Sequence, residues 1–204
     1  MKRRRLMGLL VSGLTLACCR KEELVAESSW LELEGKWEGV SGGVVKEDGG
    51  VLRIGWGEAM SAAKWTGEVL QAPFELELEA RRVDGTDFFC AVTFPARGVD
   101  ECVTLVIGGW GGATVGISSI NDKDASENET HRLMAFETGV WYRIKLLREG
   151  ERIAVWIDGE KVIDVDTTDK RLSLRPGPVS DCAPFGLATW QTTGEMRGIR
   201  WRGL

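Results

Sequence analysis

The side chains best suited to chemistry in this 204-residue chain are clustered carboxylates and tryptophans set beside glycines. Glu75, Glu77 and Glu79 stand two residues apart. On one strand such neighbours lie roughly 6.5–7 Å apart, a separation that two-carboxylate glycoside hydrolysis can use. Leu76 and Leu78 occupy the positions between them, and the competing reading is a solvated outer face with Arg81 and Lys145 as partners. Asp122, Asp124, Glu127 and Asn128 crowd oxygens into the loop Asn121 to Thr130. A divalent cation needs oxygen ligands at such density, so Asp122, Asp124 and Glu127 are candidate metal ligands. The spacing is not that of an EF-hand loop, and a polar loop built on Asx turns is the alternative. His131, the only histidine, adjoins this loop and is a candidate general base. The alternative is a histidine simply hydrogen-bonded by Asn128 or Glu129. Trp65, Trp110 and Trp190 sit beside polar or glycine-rich turns. With Gln191, Thr192 and Thr193 they could form a saccharide cleft, indoles stacking on sugar faces and polar groups reading hydroxyls. Packing in the core or at a sheet end is the competing reading. Trp141, Trp156 and Trp201 are assigned to structure. No nucleophile elbow, P-loop or dinucleotide fingerprint occurs.

Strands must carry these residues. Phe74 to Arg81 alternates strictly, with Phe74, Leu76, Leu78 and Ala80 on one side and charged residues on the other. Asp84-Gly85-Thr86 reads as a hairpin turn into Asp87 to Phe94, whose two faces are both apolar. This hairpin is expected at the centre of the fold. Cys102 to Ile107 reads as an interior strand, and Gly108 to Gly112 as a turn around Trp110. Trp141 to Leu147 and Ile153 to Ile157 read as a hairpin, and Asp158-Gly159 turns into Val162 to Val165. Glu58 to Lys64 could form one helical turn. Roughly a dozen short strands at regular spacing predict an all-β sandwich of two antiparallel sheets.

Lys2 to Arg5 and the apolar run Leu6 to Ala17 have the form of an export leader. The stretch Leu14-Thr-Leu-Ala-Cys18 resembles a bacterial lipoprotein signal, with Cys18 as the lipidated residue; ordinary secretory cleavage is the alternative. The expected organisation is a leader over 1–17, a tether over 18–29 and one domain over 30–204. Removing the four basic residues Lys2 to Arg5 takes the formal charge from −5 to −9. Such an acidic surface argues against nucleic acid as a partner. The expected contact with a membrane is the lipid anchor alone. Cys90 and Cys102 lie on neighbouring predicted strands and are the first candidate disulfide, the alternative being two small buried hydrophobes.

Two resemblances add to this reading. Trp141-Tyr-Arg-Ile-Lys-Leu with Ile153-Ala-Val-Trp-Ile-Asp-Gly-Glu-Lys-Val162 resembles a strand pair of laminin-G and concanavalin A-like jelly rolls. Residues 30–204 are similar to the bacterial 3-keto-disaccharide hydrolase domain family. The similarity lies at Gly35-Lys36-Trp37, at Phe74 to Arg81 with Phe88-Phe89, and at Gly186-Leu-Ala-Thr-Trp-Gln191 before Met196-Arg-Gly-Ile-Arg200. Asp84-Gly-Thr-Asp87 stands where that family usually has Asn-Ser-Gly. The resemblance implies a concanavalin A-like jelly roll and a hydrolase acting on 3-keto glycosides. Asp87 and Asp124 would then serve as acid/base groups or hold a divalent ion beside the cleft. A non-catalytic carbohydrate-binding module and a surface interaction domain are the alternatives.

Overall fold

The structure, a computed structural model, describes residues 29–33, 35–69 and 71–204. The leader, Cys18 and nearly all of the tether lie outside the described residues. Among the described residues fifteen strands follow one another: β1 Leu31–Glu32, β2 Trp37–Ser41, β3 Val45–Asp48, β4 Val51–Ile54, β5 Met60–Trp65, β6 Phe74–Gly85, β7 Cys90–Gly98 and β8 Glu101–Gly108. After a tight turn come β9 Thr114–Ser118, β10 Arg132–Leu133, β11 Tyr142–Glu149, β12 Arg152–Ile157, β13 Glu160–Asp166, β14 Gly186–Trp190 and β15 Thr192–Gly203. They form two antiparallel sheets packed face to face, the sandwich that the strand count predicts. The first sheet runs β13-β12-β11-β6-β15-β4-β3, with β1 added on β15; the second runs β10-β9-β8-β7-β14-β5-β2.

The alternation of Phe74 to Ala80 is confirmed. Phe74, Leu76, Leu78 and Ala80 are buried in the core between the sheets. The predicted hairpin is not. β6 pairs with β11 and β15 in the first sheet, whereas β7 pairs with β8 and β14 in the second. Asp84-Gly85-Thr86 is therefore a crossover between layers. Gly85 has φ 101°, and a Cβ there would lie 2.4 Å from the Gln191 carbonyl oxygen. Glycine-bearing turn chemistry of this kind serves a hairpin and a crossover alike. The alternation also breaks at the start of β7. Phe89 and Cys90 both enter the main core, and Phe88 is left on the outer side.

The hairpin β11–β12 forms as predicted, with Ile144 opposite Ile157 and Leu146 opposite Val155. The residues expected to make a helical turn, Glu58 to Lys64, instead contribute to β5, because Ala63 and Trp65 alternate into the core while Met60 and Ala62 face outward. β7 is apolar on both faces because its outer face is covered as well. Ala91, Ala62, Ala188 and Met60 form a second cluster under the 3₁₀ turn Pro178–Cys182.

No disulfide forms among the described cysteines, and Cys90, Cys102 and Cys182 are buried thiols. Cys90 stands opposite Ile107 and Cys102 opposite Pro95. Five residues of register separate them, about 17 Å along the strand, far beyond disulfide reach.

Candidate saccharide cleft

The outer face of the second sheet carries a cleft of about 270 Å³. Its floor is Ala91, Thr104 and Val106; Trp110 and Trp190 stand at its walls, and Arg175 with Pro176 and Pro178 closes one side. An adjoining depression of about 220 Å³ is lined by Asp87, Phe88, Trp110, Arg175 and Trp190. Trp110 is 44% exposed and Trp190 37%. Phe88 lies 6.2 Å from Trp190, ring to ring, at 41°. These are aromatic surfaces held in place and open to solvent, the arrangement that stacks on the C–H face of a sugar ring.

Each wall has a physical support. Trp110 lies in a left-handed conformation, φ 48° and ψ 57°, within the turn after β8. The turn is tied down by Asp87, whose Oδ2 accepts from the Gly111 N–H at 3.0 Å. It is also tied by Arg82, whose Nη2 donates to the Gly112 carbonyl at 3.1 Å. Gly112 has φ 102°, and a Cβ there would meet the Thr86 carbonyl oxygen at 2.9 Å. Trp190 ends β14, its N–H donating to the Phe88 carbonyl at 3.0 Å. Gln191 then takes φ 42° to reverse the chain into β15.

The predicted site residues divide. Trp110, Trp190 and Asp87 meet in one place. Gln191 is exposed beside Trp190. Thr192 is fully buried and lines neither part of the cleft; its Oγ1 accepts from the Asp87 N–H at 3.1 Å and so positions that residue. Trp65 is a core residue, 5% exposed, 5.1 Å from Trp37, with its Nε1 donating to the Glu68 carbonyl. Its place beside a polar turn did not reveal that β5 directs it inward.

Asp124 accepts from Ser118 Oγ at 3.2 Å and pairs with Arg175 at 3.1 Å, so it anchors the cation that lines the cleft. Asp122 pairs with Arg171 at 2.8 Å, and Glu127 is exposed. Among the described residues no three His, Cys, Asp or Glu side chains gather around one point, so the proposed ligands Asp122, Asp124 and Glu127 do not converge. The loop is organised instead by buried Asn128, whose Nδ2 donates to the Ile117, Lys123 and Asp124 carbonyls. His131 is half-buried, lines neither part of the cleft, and its backbone N–H closes a turn onto the Asn128 carbonyl. Phe88 and Arg175 are the aromatic and the cation of the cleft that sequence reasoning missed. Arg175 sits in an aperiodic Pro-Gly loop that carries no signal of its direction.

The glutamate ladder occupies the outer face of the first sheet. Glu79 pairs with Arg197 and Glu77 with Arg200, each at 2.7 Å, and Glu75 pairs with Lys145 at 2.8 Å and Arg202 at 2.5 Å. Lys145 was expected as a partner. Arg81 was too, but it joins Glu195 at 2.6 Å. Burial pushes the Glu75 carboxyl up, yet hydrogen bonds from Lys145 and Arg202 outweigh it and hold the group below the ordinary range. A carboxylate held ionised in this way is a poor general acid, and Glu77 and Glu79 are each engaged by an arginine.

No family model and no curated protein matches the sequence. Among solved structures, the fold is similar to the carbohydrate-binding module CBM66 from Bacillus subtilis. The TM-score is 0.58 at 15% identity, over 83% of this chain and 96% of that one. It is also similar to the carbohydrate recognition domain of Emp46p in its potassium-bound form, with TM-score 0.54 at 13% identity, over 82% and 89% of the two chains. A native glycosidic hydrolase gives TM-score 0.50 at 8% identity, over 81% and 89%. At these identities the similarity is one of fold, a jelly-roll β-sandwich.

Proposed function

We propose that this chain is an exported carbohydrate-binding protein, lipid-anchored through Cys18, that takes a saccharide in the cleft on its second sheet. The observation that carries this reading is the convergence of two exposed indoles, Trp110 and Trp190, around Phe88. They come from distant parts of the chain: Asp87 and Arg82 hold the turn that carries Trp110, and the Trp190 N–H donates to the Phe88 carbonyl. Arg175, held by Asp124, supplies donors for sugar hydroxyls. The binding functions of CBM66 and Emp46p, which share the fold, support the reading. The expected partner is a saccharide rather than nucleic acid.

The test is binding to a panel of oligosaccharides, followed by intrinsic tryptophan fluorescence. Trp110→Ala and Trp190→Ala should each weaken binding by about tenfold or more, equivalent to about 1.4 kcal/mol, while the unfolding midpoint stays in place. Unchanged affinity in both variants would remove the cleft from the function. For the anchor, Cys18→Ala should abolish incorporation of labelled fatty acid.

A second reading, hydrolysis of 3-keto glycosides, draws on one feature, the Asp87 carboxylate in the depression between the indoles. Both of its oxygens already accept backbone N–H groups, from Phe88 and Gly111. Each oxygen keeps a second lone pair through which it could accept a proton from a reacting group. Release of product from a 3-keto disaccharide by the native chain, lost in Asp87→Asn, would establish this activity.

A further inference from the structure

The outer face of the first sheet holds a groove of about 530 Å³, larger than the cleft on the opposite face and within the size range of small-ligand sites (about 300–1,000 Å³). Trp141 and Trp156 line it, with Glu77, Glu79 and Arg143 between them. Both indoles are half-buried and already fixed. The Arg197 guanidinium lies 4.1 Å and that of Arg81 4.6 Å from the Trp141 ring centre, and Lys145 Nζ lies 4.9 Å from that of Trp156. Cation–π contacts of this kind hold the rings before any ligand arrives, which lowers the ordering cost of binding.

The charges of the groove narrow the class of ligand. Glu77 and Glu79 are neutralised by Arg200 and Arg197 through their Oε2 atoms. A carboxylate has more acceptor sites than these bonds occupy, so it can still accept from a hydroxyl. The Arg143 backbone N–H is capped by Asp158 at 2.8 Å, but its guanidinium makes no ion pair among the described residues. Paired carboxylates that can accept, an unpaired guanidinium that can donate, and two flanking indoles suit a chain of hydroxyl groups on apolar rings. They do not suit a strongly charged ligand.

From this geometry we infer that the groove between Trp141 and Trp156 is a second binding site for a neutral oligosaccharide. It lies on the opposite face of the sandwich from the Trp110–Trp190 cleft. Two sites facing away from each other let one molecule bridge two glycan strands.

The test is affinity electrophoresis of the full chain in native gels containing soluble β-glucan, xylan, galactomannan or pullulan. The Trp110→Ala/Trp190→Ala variant should still be retarded by at least one of these polymers. Adding Trp141→Ala and Trp156→Ala should abolish that remaining retardation, and adding Arg143→Ala should weaken it by about fivefold or more. Because the Arg143 side chain makes no ion pair or hydrogen bond among the described residues, that variant decides the matter if the double tryptophan variant fails to fold. The inference is overturned if the Trp110→Ala/Trp190→Ala variant migrates as in a polymer-free gel, or if Arg143→Ala leaves its retardation unchanged. Loss confined to Trp110→Ala/Trp190→Ala would leave the first cleft standing alone. A wild-type chain unretarded by all four polymers would overturn both sites.

Discussion

Asp87 Oδ2 accepts the backbone N–H of Gly111 at 3.0 Å, so a residue in the crossover between the sheets holds the turn that presents Trp110. Its Oδ1 accepts from Phe88 at 2.8 Å, fixing the neighbouring aromatic of the cleft as well. In Asp87→Asn an amide NH₂ group can replace one acceptor and oppose an N–H. We predict a stability loss of about 1–2 kcal/mol and weakened saccharide binding, with Asp87→Ala worse in both. Urea unfolding and titration of the oligosaccharide on the same preparations check this. Full affinity in Asp87→Ala would show that the turn holds its shape without the carboxylate.

Arg82 should be the most sensitive position near the cleft. It is 7% exposed, its guanidinium donates to the carbonyls of Phe136, Asp87 and Gly112, and it lies 5.2 Å from the Phe89 ring centre. Removing it leaves three carbonyls without this donor and a void beside Phe89. Arg82→Ala should cost at least about 3 kcal/mol, read from the urea midpoint. Arg82→Lys should recover only part of this, since an ammonium donates from a single nitrogen and cannot span the positions that Nη1 and Nη2 reach.

Trp65 and Trp190 should separate stability from binding. Trp65→Ala removes a core indole against Trp37 and should cost about 3–5 kcal/mol. Trp190→Ala, at an exposed site, should leave the thermal midpoint nearly unchanged while weakening binding. Equal destabilisation by the two would mean that Trp190 is a packing residue.

Acid should weaken the first sheet. Burial raises the carboxyls of Glu75 and Glu195, but Lys145 with Arg202 and Arg81 with Arg53 outweigh it, so both stand below the ordinary value of 4.5. A group with a depressed folded value contributes stability that is fully present above its unfolded value and is lost as pH falls through the folded one. Thermal midpoints should therefore drop as pH falls below about 4.5. Glu75→Gln/Glu195→Gln should be less stable at pH 7 and show a shallower fall in acid. Parallel curves for the two proteins would contradict this assignment.

The thiols should be inert in the folded protein. Burial pushes Cys90 and Cys182 up to about 12 and Cys102 up to about 11, with Asp181 and Asp100 adding to the rise at Cys182 and Cys102. Iodoacetamide at pH 8, followed by peptide mass spectrometry, should leave these three unmodified until denaturant is added. Rapid labelling of Cys90 in the native state would mean that β7 opens locally.

What the sequence determined by itself is local. The period-two pattern of Phe74 to Ala80 shows which face of β6 is buried, because side chains alternate on any strand regardless of its partners. The β11–β12 hairpin was legible for the same reason, its strands being joined by a short turn. The turns beside Trp110 and Trp190 left both indoles free either to pack at a sheet end or to stand exposed, and the tertiary structure exposes them. Partner choice was decided by tertiary structure. Asp84-Gly85-Thr86 reads as a hairpin turn, yet it carries the chain across to the other sheet, since β6 gains two neighbours from residues 142–149 and 192–203. Trp65 was placed in the cleft by its neighbours in sequence and in the core by the pairing of β5 with β14. Asp122, Asp124 and Glu127 share a loop, but the ion pairs from Arg171 and Arg175 draw the two aspartates to different cations. Sequence proximity sets what a segment can form; the long-range pairing of strands sets which of its side chains meet.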